Sequence, residues 1–403
     1  MKVVHTDRLS DDMVLSEDVI DDKGKLLLAK GNKIKSKHIR ILKIWGVTEI
    51  TVAGDDNEEE IPESNPDNEQ IEEDTRYVFK HVDLNHPAIN ELFRLSVFYR
   101  VDNGILETKS NEVLIKYNDS KNDVFLKTKG KILEDKIQLP EIPPIILELN
   151  AVIENPLSTA DDIGRVVYKS PSLTALLLKV ANSPVFGFSS KIDTISRAVT
   201  IIGTKEIIGL AVGISTINSF KDIPKEIIDI HSFLRHSFAC GIISRILAAR
   251  KDIPQTEQLF VLGLLHDIGR LIICQSFPDQ AGAMICSCIK SGRLLSQEEN
   301  NYIGCKHTDI GRYLLQKWNF PFSLENNLFY HHNPSQAHDP LQAAIVHLAD
   351  IIVNGLGIGS SGERFVPPLD YDAWDGLGLS PSVFEVVIGQ AIHQLEAIDT
   401  FLN

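Results

Sequence analysis

Lys169-Ser-Pro-Ser-Leu-Thr-Ala-Leu-Leu-Leu-Lys-Val-Ala-Asn-Ser-Pro184 reads as one complete helix with its own punctuation. Pro171 and Ser172 suit a first turn, where a missing N–H costs nothing. Leu173, Leu176, Leu177 and Val180 recur at three- and four-residue spacing, which places them on one face. Asn182-Ser183-Pro184 stops the run, because proline cannot continue a helical hydrogen-bond ladder. The same pattern continues on both sides. Upstream, Pro143 and Pro144 open a helix with Ile145, Ile146, Leu149 and Ile153 on its buried side. Ser158 is a suitable N-cap for the next, which carries Ile163, Val166 and Val167. Downstream, amphipathic stretches cover roughly 193–203, 204–219, 231–250, 256–275, 296–318, 322–332, 341–354 and 382–397. No strand-like alternation of comparable strength interrupts them. Many helices with short connections predict an all-helical domain over residues 130–403.

Inside that domain, the run Gly263-Leu-Leu-His-Asp-Ile-Gly-Arg270 sets two adjacent metal-ligand side chains, His266 and Asp267, in an apolar segment. Burying both without a metal ion or a strong polar network is costly. Further candidate ligands lie around the doublet: His236 upstream, then His307, the pair His331-His332, and Asp350. Imidazole with carboxylate suits zinc, iron, manganese and similar ions; oxygen-only calcium sites and thiolate sites have a different composition. All nine histidines beyond Pro87 fall at or after His231, which concentrates any such site in the second half of the chain. Adjacent helical residues diverge by about 100°, so one of His331 and His332 is expected to ligate and the other to support it. His347, one turn before Asp350, reads as a structural histidine. Arg270, three residues after Asp267, is the candidate for neutralising phosphate charge if the site is catalytic.

The formal charge of −15 is unevenly spread, because Asp55 to Asp74 hold eleven acidic and no basic side chains. That stretch, with Pro62 and Pro66 and little apolar content, reads as a disordered linker over 55–75. Before it, residues 1–54 read as a small α+β module. Short apolar runs at 14–15, 19–20 and 26–28 and the alternation at 47–52 suggest strands, and Ser36 caps a helix through about Trp45. Between Lys23 and Lys43 this module carries eight Lys/Arg and no acidic residue. A solvated basic face, or one leaning on the acidic stretch that follows, explains them better than nucleic-acid binding, since no DNA-reading motif accompanies them. Residues 76–129 form a bridging segment, with helical periodicity from Pro87 to Arg100 and a hairpin pattern between Ile105 and Lys129. Five scattered cysteines make no disulfide framework. With no 18-residue apolar run and no signal-peptide pattern, the expectation is a cytoplasmic protein without membrane association.

Several short runs carry a family likeness. Leu139-Pro-Glu-Ile-Pro143, Lys169-Ser-Pro-Ser-Leu-Thr174, Val180-Ala-Asn-Ser-Pro184, Ile195-Ser-Arg-Ala198, Ile202-Gly203, Leu264-Leu-His-Asp-Ile-Gly269 and Trp318-Asn-Phe-Pro321 together resemble the HDOD domain. This is the HD-related output domain of bacterial signalling proteins, in the HD metal-dependent phosphohydrolase superfamily. The resemblance covers roughly residues 130 to 400. More weakly, Gly24-Lys-Leu-Leu-Leu-Ala-Lys-Gly31 and Trp45-Gly46-Val47 resemble a small module that often precedes HD-type domains. The resemblance implies an all-helical HD-type fold, a regulatory role in signal transduction, and as a rule no demonstrated catalysis.

It also implies a ligand set. The superfamily's His…His-Asp…Asp pattern would bind one divalent ion through His236, His266, Asp267 and Asp350. Members with extra histidines bind a second ion, and His307 with His331 or His332 matches that addition. HDOD members often lack part of this constellation, which is complete here. His331-His-Asn-Pro334 is not followed by the Glu and Asp-Gly-x-Gly-Tyr-Pro run of the cyclic-dinucleotide phosphodiesterases, and Gly355 to Gly362 reads as a flexible loop beyond the ligand helices. The expected function is therefore a bacterial regulator bearing one or two ions (Fe, Mn or Zn) and acting through a signalling protein partner, with a homo-oligomer compatible with the chain. An active metal-dependent phosphohydrolase or phosphodiesterase on a nucleotide is the alternative.

Overall fold

The computed structural model describes residues 2–6, 9, 13–20, 26–35, 38–39, 42, 47, 49–53, 66–105, 137, 139, 141–182, 190–217, 219–220, 223–253 and 256–402. They divide into two units, Met1–Pro66 and Asp67–Asn403. The first contains the strands β1 (Lys2–His5), β2 (Val19–Ile20), β3 (Leu26–Leu28) and β4 (Glu49–Val52). β1 runs antiparallel to β4 in a register from Lys2↔Val52 to His5↔Glu49, and β2 pairs with β3. Val14 and Leu15 form isolated bridges to Lys33 and Val52. Leu15, Ile34, Leu42, Ile50 and Val52 bury together beneath these pairs. Strand β1 has no counterpart in the sequence reading, because Val3-Val4 is too short to show alternation. Of the helix expected from Ser36 to Trp45, His38, Ile39 and Leu42 are helical and the others lie outside the described residues.

In the second unit the described helices are α1 (Pro66–Val78), α2 (Pro87–Asp102), α3 (Pro144–Glu154), α4 (Ala160–Val167), α5 (Pro171–Asn182), α6 (Ile195–Ile202) and α7 (Thr204–Ile217). They continue with α8 (Ile230–Arg250), α9 (Thr256–Leu265), α10 (Ile268–Ser276), α11 (Pro278–Ser291), α12 (Leu295–Tyr302) and α13 (His307–Lys317). The last are α14 (Phe322–Phe329), α15 (Pro340–Leu356), α16 (Tyr371–Leu377) and α17 (Val383–Leu402). The chain from 137 onward is thus helical among the described residues, as its periodicity predicts. Thr159 rather than Ser158 caps α4: its hydroxyl accepts from the Asp162 N–H while the Asp162 carboxylate accepts from the Thr159 N–H. This is a capping box, in which an acidic third residue repays the cap.

Two boundaries differ from the sequence reading. Residues 66–75, expected in the acidic linker, are the first turns of α1, while 54–65 lie outside the described residues. Acidic residues near a helix N-terminus are favoured by its dipole, and Ile71, Val78 and Phe79 supply an apolar side that buries. The bridging segment is likewise part of the second unit through residue 105, because Val78, Phe79, Ile89 and Leu92 join its core. But for Ile105, the hairpin expected up to Lys129 lies outside the described residues.

Arg100 of α2 shows how tightly that segment is tied in. It is only 1 % exposed, and its guanidinium donates to the carbonyls of Gly355 (2.9 Å) and Asn354 (3.2 Å) at the end of α15. The last carbonyls of a helix have no partners of their own and carry its negative dipole end. Arg100→Met keeps the apolar stem and removes both bonds. The expected loss is about 2–3 kcal/mol, read as a fall in the urea midpoint at unchanged m-value.

α8 is the central helix, packing along α9, α15 and α17. Its approach to α9 requires glycine on both sides. A Cβ on Gly241 would lie 2.8 Å from the Phe260 carbonyl oxygen, and one on Gly263 would lie 2.7 Å from that of Cys240. Backbones this close bring His236 of α8 within reach of the residues that follow Gly263. The stretch Thr256–Ser276 has the length and apolarity of a membrane span, yet 89 % of its most apolar 18-residue window is buried inside this fold.

Candidate metal centre

The stretch read as one helix over 256–275 is two, and the break falls at the doublet itself: α9 ends at Leu265 and α10 begins at Ile268. His266 and Asp267 occupy the turn, so they do not follow one helix face and can serve different neighbours. His266 joins His236, Cys240 and Asp350 in one cluster of donor atoms, and Asp267 joins His307, His331 and His332 in a second. Within each cluster the donors lie within 4.8 Å of one another. Every candidate ligand named from the sequence is therefore in the centre. His331 and His332 are not on a helix, since α14 stops at Phe329; both offer a nitrogen to the second cluster.

In the first cluster Asp350 Oδ1 stands 3.4 Å from His236 Nε2 and 3.5 Å from His266 Nε2. Asn354, one turn along α15, donates to the same oxygen at 2.6 Å. In the second, Asp267 Oδ1 stands 3.1 Å from His307 Nε2 and 3.8 Å from His331 Nε2. The other oxygen, Oδ2, is 3.4 Å from His266 Nε2 and 3.1 Å from the Arg270 guanidinium. Asp267 thus faces both clusters.

The outer ring nitrogens fix which atom points inward. His266 Nδ1 donates to the Gly263 carbonyl (2.7 Å), His331 Nδ1 to that of Leu328 (2.7 Å), and His307 Nδ1 to the Glu299 carboxylate (2.7 Å). A histidine whose outer N–H is committed in this way offers its Nε2 lone pair to the centre. His307 Nε2 and His331 Nε2 then face each other at 3.5 Å. His266 Nε2, His332 Nε2 and both Asp267 oxygens are buried without a hydrogen-bond partner. Converging lone pairs beside carboxylate oxygens need a cation among them. The donor set accordingly fits a metal centre.

Without an ion, a proton on His266 supplies that positive charge. Burial opposes charge on His266, but the Asp267 and Asp350 carboxylates outweigh it and hold the ring at about 10. Burial, with the neighbouring His266 and His307, drives His331 down to about 3, and burial with His331 drives His332 well below its ordinary value. These two rings are neutral and available as ligands. Burial works against the Asp267 carboxylate, yet Arg270 and His266 hold it well below the usual range. Asp350 is likewise lowered against its burial by His236 and His266. Arg270 is 3 % exposed, with Ser361 Oγ accepting at 2.7 Å and Glu299 at 3.8 Å from its Nε.

The glycine-rich loop after α15, expected to be flexible and remote, is a wall of the centre. Ile358 and Ser361 are fully buried, and Ser360 N–H donates to the Ser232 carbonyl on α8. Gly359 sits at φ +64° with its α-carbon against α8; a Cβ there would lie 2.5 Å from the His236 backbone nitrogen. Only glycine fits on both counts. Gly359→Ala is expected to cost about 2–4 kcal/mol from backbone strain and overpacking, checked by thermal melting.

Two contributors escaped the sequence reading. Cys240 lies four residues after His236, a spacing that shares a helix face, so that signal was available. Glu299, which orients His307 through both its N–H and its ring, comes from α12 by tertiary packing and left no local signal. His347 is structural, as expected: Nδ1 donates to the His331 carbonyl and Nε2 accepts from the Asp370 N–H.

The fold and site define an all-helical domain with a buried His/Asp centre. Residues 139–334 match the family model of the HDOD domain. Over these residues the chain carries an HDOD domain; Asp350 comes from beyond the matched segment. A 222-residue stretch is 26% identical to an uncharacterized protein of Treponema pallidum (strain Nichols), covering 54% of this chain and 42% of that one. The chain thus spans less than half the length of that relative. Among solved structures, an HDOD domain protein of unknown function from Geobacter sulfurreducens superposes with TM-score 0.54 at 21% identity, over 66% of this chain and 94% of its own. A candidate phosphohydrolase from Shewanella amazonensis SB2B gives 0.54 at 24%, over 66% and 98%. A candidate signal transduction protein from Marinobacter aquaeolei VT8 gives 0.54 at 19%, over 81% and 68%. At these identities the likeness is one of fold.

Proposed function

We propose that this protein is a bacterial signal-transduction component whose HDOD domain holds one or two divalent ions (Fe, Mn or Zn) and acts through contacts with a signalling protein. One observation carries the reading: every ligand of the centre except the half-buried His332 is buried. His236, His266 and His307 are fully buried, Asp267 and Asp350 nearly so, and Arg270 is committed to Asp267 and Ser361. A cationic side chain already paired inside the fold is poorly placed to clamp a substrate phosphate. His236, His266 and Asp350 would hold one ion and Asp267, His307 and the His331-His332 pair the other. When bound, the ions supply positive charge and Lewis acidity, and their binding energy would lock together the separate chain segments that carry the ligands.

A second reading has one specific observation in its favour. The two Asp267 oxygens face different donor clusters, the disposition of a carboxylate shared between two ions, which is a hydrolytic arrangement. Metal analysis of the purified protein, paired with a screen of nucleotides and phosphodiesters in Mn²⁺ or Fe²⁺, separates the two. The regulatory reading expects bound metal and no turnover. Turnover that disappears in Asp267→Ala would establish the hydrolase instead, and less than about a tenth of an equivalent of metal would sink both.

A further inference from the structure

We propose that Cys240 is a thiolate ligand of the first ion, so that this position is a closed site of two histidines, one cysteine and one aspartate, with a different metal preference from its neighbour. The inference rests on the metal reading above and assigns a donor that neither the HD pattern nor the family match supplies. Cys240 is fully buried on α8, one turn after His236 and on the same face. Its Sγ is 3.6 Å from His236 Nε2, and it lies within 4.8 Å of the His266 and Asp350 donor atoms as well. The sulfur is therefore one corner of a four-donor group, and more than a thiol hydrogen-bonded to a single ring.

The spacings carry the argument further. Bond lengths of about 2.3 Å to sulfur and about 2.0–2.1 Å to nitrogen or oxygen, at tetrahedral angles, put donor atoms about 3.3–3.5 Å apart for nitrogen–oxygen pairs and about 3.6 Å apart for nitrogen–sulfur pairs. The observed separations are 3.4 Å and 3.5 Å for the two histidines from Asp350, and 3.6 Å for His236 from Cys240. These three separations match edges of such a tetrahedron, and the remaining donor pairs lie within 4.8 Å. Four protein donors leave no open position for water or substrate, which is the hallmark of a structural site. A soft thiolate favours Zn²⁺ or Fe²⁺ over Mg²⁺ and Mn²⁺, while the second cluster offers nitrogen and oxygen alone. Binding forms the metal–sulfur bond and releases the thiol proton to solvent.

Loading the full-length protein with Co²⁺ tests this without reference to activity. The wild type is expected to show a thiolate-to-cobalt charge-transfer band in the near ultraviolet. The band should vanish in Cys240→Ser and Cys240→Ala and persist in His331→Ala, whose lesion is in the other cluster. Zn²⁺ affinity should fall at least about tenfold in Cys240→Ser. X-ray absorption of the zinc-loaded wild type needs no variant and should show a Zn–S distance of about 2.3 Å. Stoichiometric cobalt without the band, or zinc with a nitrogen–oxygen shell alone, overturns the Cys240 assignment and leaves the metal reading intact. A folded wild type that takes up neither metal overturns both.

Discussion

Asp267→Ala is expected to abolish metal binding at the second cluster and to destabilise the metal-free protein by about 3–5 kcal/mol. The carboxylate stands against Arg270, His266 and His307 together, at 3.1, 3.4 and 3.1 Å. Its removal leaves a buried guanidinium with Glu299 at 3.8 Å as its nearest remaining counter-charge. An uncompensated buried charge costs far more than the intact pair contributes. A fall in Tm on the order of 10 °C follows, together with loss of metal by mass spectrometry. Arg270→Met in the same chain should recover part of the loss, because it removes the stranded charge. A double variant whose loss equals the sum of the single losses would show that the two side chains are not coupled.

Metal removal is the second large effect. An ion present at about a thousand times its dissociation constant stabilises the folded state by about 4 kcal/mol, so chelation should lower Tm strongly. The size of that drop should depend on pH. In the metal-free protein His266 is held at about 10, above its ordinary 6.5. Its ion pairing with the carboxylates is therefore complete below 6.5 and is lost as the pH rises toward 10. Metal competes with the same proton, so its stabilisation grows over the same interval. Paired melting curves with and without chelator should diverge as pH rises from 6.5 toward 10. A constant gap would show that His266 is not a ligand.

Much of the centre was legible before the fold was known, and the reason is chemical. His236, His266, Asp267, His307, His331, His332 and Asp350 are the residue types a buried cation needs, set in or beside apolar helices where each alone would be costly. The helical architecture was legible because Leu173, Leu176, Leu177 and Val180, and their equivalents elsewhere, repeat at helical spacing. Three features were hidden. The break at His266-Asp267 left no proline or flanking polar run to announce it. The Gly355 to Gly362 segment has the composition of a flexible loop, and only the fold seats it against α8 and Arg270. The helix at 66–78 was masked by acidic residues that suit a helix start as well as a disordered segment.

Local sequence determined the class of the domain over residues 139–334, an all-helical HDOD domain, and most of its candidate ligands. Periodicity and residue chemistry are properties of neighbours in the chain, and both survive without coordinates. Tertiary structure alone decided how those ligands divide. The turn at the doublet sends His266 to one cluster and Asp267 to the other, the glycine crossing of α8 and α9 brings in His236 with Cys240, and Glu299 arrives from α12 to orient His307. A donor's partner is set by distance through space, and residues 236, 266 and 350 meet only because the helices and the turn that carry them pack together.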